Sequence, residues 1–211
     1  MRDIIQSLEW RYAVKKFDSK RVLPQDKIDS LKKVFNLTAT SYGLQPIKML
    51  VLHNAELQQK LIAHTYGQKQ VGQASHVLII CIENRIDSDY ISRYFEKVRK
   101  VRGTSEEILM PFRDALVGDF SSKEVSEVTT WATNQAYLAM GNLLTFCAME
   151  EIDSCPMEGF VAEDYDRLLG LDAMGLAPVL VMPVGFRATD DMFSQFKKVR
   201  KDLADSVIEL F

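Results

Sequence analysis

The sequence is poor in the residues that most often announce chemistry. Its 211 positions hold three cysteines, Cys81, Cys147 and Cys155, an odd number with no CxxC pair. Such spacing fits neither a zinc site nor a disulfide framework, and a reducing cytoplasm is the compartment it suits. His53, His64 and His76 stand apart from the cysteines and from one another, which favours structural or solvated imidazoles over metal ligands. GxGxxG and GxxxxGKS/T are both missing, so neither the glycine-rich dinucleotide turn nor the P-loop is encoded. HExxH and GxSxG are missing too. No stretch approaches the roughly 20 apolar residues of a membrane helix. Residues 1–17 alternate apolar and charged positions instead of building the apolar core of a leader. Nor is there an excess of positive charge: 26 Lys and Arg against 29 Asp and Glu leave a net −3. That balance disfavours a nucleic-acid partner but leaves room for a local basic pocket. A soluble cytoplasmic protein is expected, with no membrane or nucleic-acid partner.

What is present is ordinary globular composition, 47% hydrophobic and 26% charged. No repeat, low-complexity run or Pro/Gly-rich linker divides the chain, so residues 1–211 read as one domain. A helix is expected over 23–35, with Pro24 at its start and Ile28, Leu31, Val34 and Phe35 on one face. Strands are expected over 47–52, 77–82 and 176–184, the second so apolar that it should be covered on both faces. Pro178 and Pro183 restrict the third to positions that tolerate a missing donor. Shorter helices are expected over 56–63 and 163–169, and a mostly helical region over 87–120, broken near Gly103 and Pro111. Ser121 and Glu124 form an S-x-x-E box that starts a long helix running to about Glu151. Its later half is apolar over more than one face and requires cover all round, some of which a second subunit could supply. Helices separating strands favour an α/β or α+β layer structure.

Basic residues cluster at both ends: Arg11, Lys15 and Lys16, then Lys197, Lys198, Arg200 and Lys201. Brought together they would make a phosphate site of charge-assisted hydrogen bonds; taken separately, each reads as a solvated face. Pro156-Met157-Glu158-Gly159-Phe160 alone reads as a strand end and turn.

Four segments together say more. Arg11-Tyr12-Ala13-Val14-Lys15-Lys16-Phe17-Asp18 resembles the N-terminal flavin-phosphate motif of the nitroreductase family. Thr40-Ser41-Tyr42-Gly43-Leu44-Gln45-Pro46 is similar to its Ser-Ser-x-x-x-Gln-Pro loop, Pro156 to Phe160 to its Pro-x-Glu-Gly-Phe turn, and Lys198-Val199-Arg200 to its Lys-x-Arg. Order and spacing agree over essentially the whole chain, with Gln135 and Gly141-Asn142 in the long helix where the family places them.

The resemblance implies an α+β sandwich, a central mostly antiparallel sheet flanked by helices, built as an intertwined homodimer. It implies an FMN-dependent NAD(P)H oxidoreductase that reduces nitroaromatic, quinone or similar electron-poor small molecules. Hydride would pass by a ping-pong scheme through FMN N5, with NADH or NADPH visiting only transiently. Carried over by position, Arg11, Lys198 and Arg200 would bind the FMN phosphate, with Tyr12 and Ala13 beside it through backbone groups. Lys15 would approach the N1/O2 edge of the ring. Pro156, Met157, Glu158 and Gly159 would cover one ring face, the Glu158 or Gly159 amide directed at N5. Thr40, Ser41 and Gly43, with Gln135, would reach the flavin of the other subunit. No catalytic side chain is demanded, since the difficult chemistry belongs to the cofactor.

Some positions depart from the family pattern. Tyr12 and Ala13 replace a polar pair, and Ile47 stands where an aromatic residue commonly follows Gln-Pro. Gln70 stands in register with a lysine of the enteric-type members at the flavin edge; Lys69 is one position away. Region 87–120 diverges most, so the acceptor is not transferred. Two other readings follow from the same residues: a reductase specialised for one natural acceptor, such as a pteridine, an enal or a free flavin, or a non-catalytic flavin-binding protein.

Overall fold

The computed structural model describes residues 3–211. Four strands form one antiparallel sheet in the order β1-β2-β4-β3: β1 (Ile47–Leu52), β2 (His76–Glu83), β3 (Asp153–Ser154) and β4 (Leu176–Gly185). The helices are α1 (Ile4–Trp10), α2 (Gln25–Asn36), α3 (Ala55–Ala63), α4 (Gln70–Gln73), α5 (Ser88–Arg102), α6 (Glu106–Ser122), α7 (Val125–Met149), α8 (Ala162–Leu169) and a single turn, α9 (Leu203–Ser206). The architecture is α+β, as expected.

The period-2 alternation of β2 decides the layering. Leu78, Ile80 and Ile82 point to one face, where they meet Leu31, Ile91, Ala136 and Leu143 from α2, α5 and α7. Val77, Ile79 and Cys81 point to the other, against Leu61 of α3 and Tyr165 of α8. Burial on both faces explains why β2 is an uninterrupted apolar run rather than a half-polar one.

Several boundaries differ from the sequence expectation. Pro111 does not break its helix: α6 runs through it, held by buried Leu109, Leu116 and Phe120 along one side. The break falls at Gly103, whose left-handed backbone (φ +68°) caps α5. The capping box of α7 is Glu124 with Glu127, not Ser121 with Glu124; the Glu124 N–H donates to Glu127 Oε2 at 2.9 Å. Pro178 and Pro183 lie in an inner strand; Pro178 is tolerated where the β2–β4 register shifts between Ile80 and Cys81, while Pro183 stands in regular register opposite Val77. His53 and His76, distant in sequence, stack with ring centroids 4.4 Å apart.

Candidate functional site

The segment after α1 is laid along the sheet edge. Ala13 bridges Ser154 of β3, the Val14 N–H donates to Ser154 O at 3.2 Å, and Phe17 bridges Arg187 just beyond β4. Beneath it, Arg187 donates from its backbone N and its Nε to the two carboxylate oxygens of buried Asp153, each at 2.7 Å. Its guanidinium lies over the rings of Trp10, at 4.3 Å, and Tyr12, at 4.6 Å. A fixed fork between two aromatic faces orients the segment that begins with Arg11.

The C-terminal cations reach that segment. Lys198 Nζ donates to Arg11 O at 2.5 Å across 187 residues of sequence. Together with Trp10, Tyr12, Ala13 and Arg200 they line a cavity of about 390 Å³. Burial, then Arg200, holds the Arg11 guanidinium below its usual range. Burial, then Arg11 and Arg200, does the same for Lys198. Three like charges converge, and the Arg11 Nε is buried with no acceptor among the described residues. An orphaned, desolvated donor among cations matches a dianionic group such as a phosphate. Lys15 is exposed, with its charge felt at Cys155, next to the Pro156 turn.

That turn is anchored at Met157, which exchanges backbone hydrogen bonds with Val181 of β4 at 2.8 and 3.0 Å. The Glu158 carboxylate accepts from Tyr137 Oη of α7 at 2.7 Å. The Gly159 carbonyl accepts from Gln68 Nε2 at 3.0 Å. A Cβ at Gly159 would lie 3.1 Å from that Gln68 nitrogen, so a side chain would crowd the turn. The Glu158 and Gly159 N–H groups donate to no acceptor among the described residues, leaving both for a ligand. Pro156, Met157 and Glu158 also line a second cavity of about 440 Å³ with Tyr137, Gly141 and Leu144. Gln70 is buried at the start of α4, just after the Tyr66–Gln68 loop that meets Gly159.

Loop 40–46 is fastened elsewhere. The Ser41 N–H donates to Gln135 Oε1 at 2.8 Å, and Gln135 Nε2 donates to Trp131 O at 3.0 Å, so this buried amide secures the loop. Thr40 Oγ1 accepts from Gln45 N at 3.0 Å, and Gly43 takes a left-handed backbone (φ +73°). Tyr42 sets its ring at 6.2 Å from Phe120 and 6.3 Å from Trp131. Gln135 and Tyr137 are two residues apart on α7, about 200° around its axis. The loop and the Glu158 turn therefore sit on opposite sides of one helix. Arg11, Lys198, Arg200, Lys15 and the turn share one region of this chain; Thr40, Ser41 and Gly43 do not join them.

Sequence reasoning missed Tyr137, Gln68, the Asp153–Arg187 pair and Asp191. Each lies within a few residues of a position named in sequence, but they touch the site through contacts that no local pattern encodes. The three cysteines are buried free thiols; burial pushes Cys147 up to about 12 and raises Cys155. Among the described residues no three His, Cys, Asp or Glu side chains are grouped to hold a metal ion. No helix there is long and apolar enough to cross a membrane.

The model of the Nitroreductase family matches residues 8–186. The Bacillus subtilis protein named "Putative NAD(P)H nitroreductase YfkO" is 31% identical over 198 residues, 89% of this chain and 90% of that one. Among solved structures, "putative nitroreductase ydfN" from B. subtilis superposes with a TM-score of 0.87 at 18% identity, covering 98% of each chain. A "putative nitroreductase in complex with FMN" from Exiguobacterium sibiricum gives 0.82 at 17% identity, covering 100% of this chain and 98% of that one. At those identities the structures establish the fold.

Proposed function

Because the chain belongs to the nitroreductase family, whose members are oxidoreductases, we propose that it binds FMN and passes hydride from NADH or NADPH to a small electron-poor acceptor. The observation that carries this reading is the meeting of Arg11 and Lys198, with Arg200 beside them, around a buried guanidinium nitrogen that lacks an acceptor. The FMN complex of the Exiguobacterium relative supports the choice of cofactor. Bound FMN supplies the hydride acceptor and donor; the side chains bind, orient and shield it.

Arg11, Lys198 and Arg200 hold the phosphate, with Tyr12 and Ala13 keeping the backbone beside it in place. Lys15 stabilises negative charge on the pyrimidine edge of the ring. Pro156 and Met157 cover a ring face and keep water from it. The free N–H groups of Glu158 and Gly159 direct a hydrogen bond at the reacting edge, while Tyr137 fixes the Glu158 side chain away from it. Gln70, neutral and buried, contributes no charge there. Nitroaromatics and quinones are the acceptor classes that suit such a site.

Thr40, Ser41 and Gly43 act on the partner's cofactor in a homodimer. The opposed placement of loop and turn on α7 supports this, since one chain cannot bring both to one ligand. The tail supports it too: Val199, Leu203 and Ile208 are each more than three-quarters exposed, apolar surface that a second chain would cover. Purified protein should be yellow, release FMN on denaturation, and bleach under NADH or NADPH without oxygen. Colourless protein that takes up no FMN overturns the reading.

A further inference from the structure

The two cationic ends of the chain meet directly where Lys198 reaches Arg11 and Lys16 pairs with Asp190, and one buried carboxylate joins the same two segments. Asp191 is buried, 3% exposed, where the chain leaves β4 and turns into the basic tail. Its Oδ2 accepts from Tyr12 Oη at 2.9 Å, Lys15 N at 3.0 Å and Lys16 N at 3.2 Å. Its Oδ1 accepts from Phe193 N at 3.2 Å, at the root of the tail that carries Lys198 and Arg200. One oxygen holds the Arg11 segment and the other holds the tail. Burial works to raise the carboxyl, yet these four donors outweigh it and hold the group below the usual carboxylate range. Around it, Lys16 pairs with Asp190 and Ala188 N donates to Lys16 O at 2.9 Å, so the two segments run side by side up to this residue, and beyond it Lys198 returns to Arg11.

We infer that Asp191 is the positioning residue of the phosphate site: it fixes the distance between Arg11 and the Lys198/Arg200 pair, and so selects a phosphorylated flavin over an unphosphorylated one. This rests on the FMN reading above. Asp191 itself does not line the cavity; as an anion it would repel a phosphate, and its charge is enclosed by donors.

Asp191→Asn separates the two halves of the role. The amide oxygen can take the place where three donors converge, which sets its NH₂ against the Phe193 N–H, two donors face to face. The tail is then released while the Arg11 segment stays. In flavin-free protein, hydrogen exchange over residues 193–201 should rise in D191N while β2 stays protected. FMN affinity should fall about 10-fold, the scale of one lost hydrogen bond to a charged group, and riboflavin affinity by less than about 2-fold. Should D191N not fold, Asp191→Ser, too short to span both ends, takes its place with the same readouts. Unchanged tail exchange overturns the inference, as do equal losses for the two flavins. Wild-type protein that binds no FMN overturns the flavin reading instead, and faster tail exchange in D191N would then still uphold the clasp.

Discussion

Replacing Arg200 by Gln probes the phosphate site with two measurements that must move differently. Arg11 and Lys198 are already held below their usual ranges by burial and by neighbouring cations, Arg200 among them. In flavin-free protein the three charges repel, so removing Arg200, which is exposed and bonded to Val199 O at 2.6 Å, relieves repulsion. The gain is small, at most about 1 kcal/mol, because solvent screens an exposed charge. Binding should move the other way. One charge-assisted hydrogen bond to phosphate contributes about 1.5–3 kcal/mol, a loss of about 10- to 150-fold in FMN affinity. Riboflavin lacks the phosphate and should bind both proteins alike. Salt adds a check, since a Debye length of about 8 Å at physiological ionic strength weakens the wild-type contact more than the variant's. Flavin fluorescence titration gives the affinities, and thermal unfolding of the flavin-free protein gives the stability. A variant that loses FMN and riboflavin equally, or whose flavin-free form melts clearly earlier, refutes the assignment of Arg200 to the phosphate.

Other parts of the molecule give independent predictions. His76 is pushed down to about 4, by burial first and then by His53 and Lys32, so the unfolded chain, at about 6.5, takes up its proton before the folded one does as pH falls. Its contribution to stability therefore declines from about pH 6.5 towards 4 and levels off below that. His76→Asn, which keeps an acceptor for Ser75 Oγ, should flatten that stretch of the urea midpoint against pH; an unaltered slope assigns the decline to other groups. Asp153→Asn leaves Arg187 without its buried anion and should lower unfolding free energy by about 3 kcal/mol in urea titration. A loss below about 1 kcal/mol would place that pair with ordinary solvated ion pairs. At Gly43 a Cβ would lie 2.5 Å from Tyr94 Oη on a backbone with φ +73°. Gly43→Ala should therefore cost about 1–3 kcal/mol, and a neutral result would mean that the loop relaxes freely.

The sequence made the elements legible where hydrophobic period and burial agree. β1 falls at 47–52 as expected, and β2 and β4 extend the expected runs by one residue at most at each end. It misled where tertiary packing overrides a local rule. Pro111 reads as a breaker, but buried Leu109, Leu116 and Phe120 hold the helix across it. Ser121 reads as a cap, but it lies in the last turn of α6, and Glu124 starts α7. The site residues were legible as types in order. Their grouping was not, because Tyr137 reaching Glu158, or Gln68 reaching Gly159, depends on how α7 and the α3–α4 loop pack on the sheet.

A binding site drawn from opposite ends of a chain looks expensive, but loop-closure entropy shows otherwise. Its cost rises only as the logarithm of loop length, so closing the 187 residues between Arg11 and Lys198 costs about 2.6 kcal/mol more than closing ten. Three hydrogen bonds from Tyr12, Lys15 and Lys16 to Asp191, at about 1 kcal/mol each, are of that order. The sheet has already done most of the closing, since β3 holds Ala13 and β4 leads directly to Arg187. What remains is to pin a short tail of mutually repelling cations, and hydrogen bonds that leave those cations unneutralised do this better than ion pairs would. An acid placed directly against Lys198 or Arg200 would also hold the tail, but it would neutralise the charge that a phosphate must meet. Enclosing Asp191 among backbone N–H groups and a tyrosine hydroxyl anchors the tail and leaves its positive charge for the ligand.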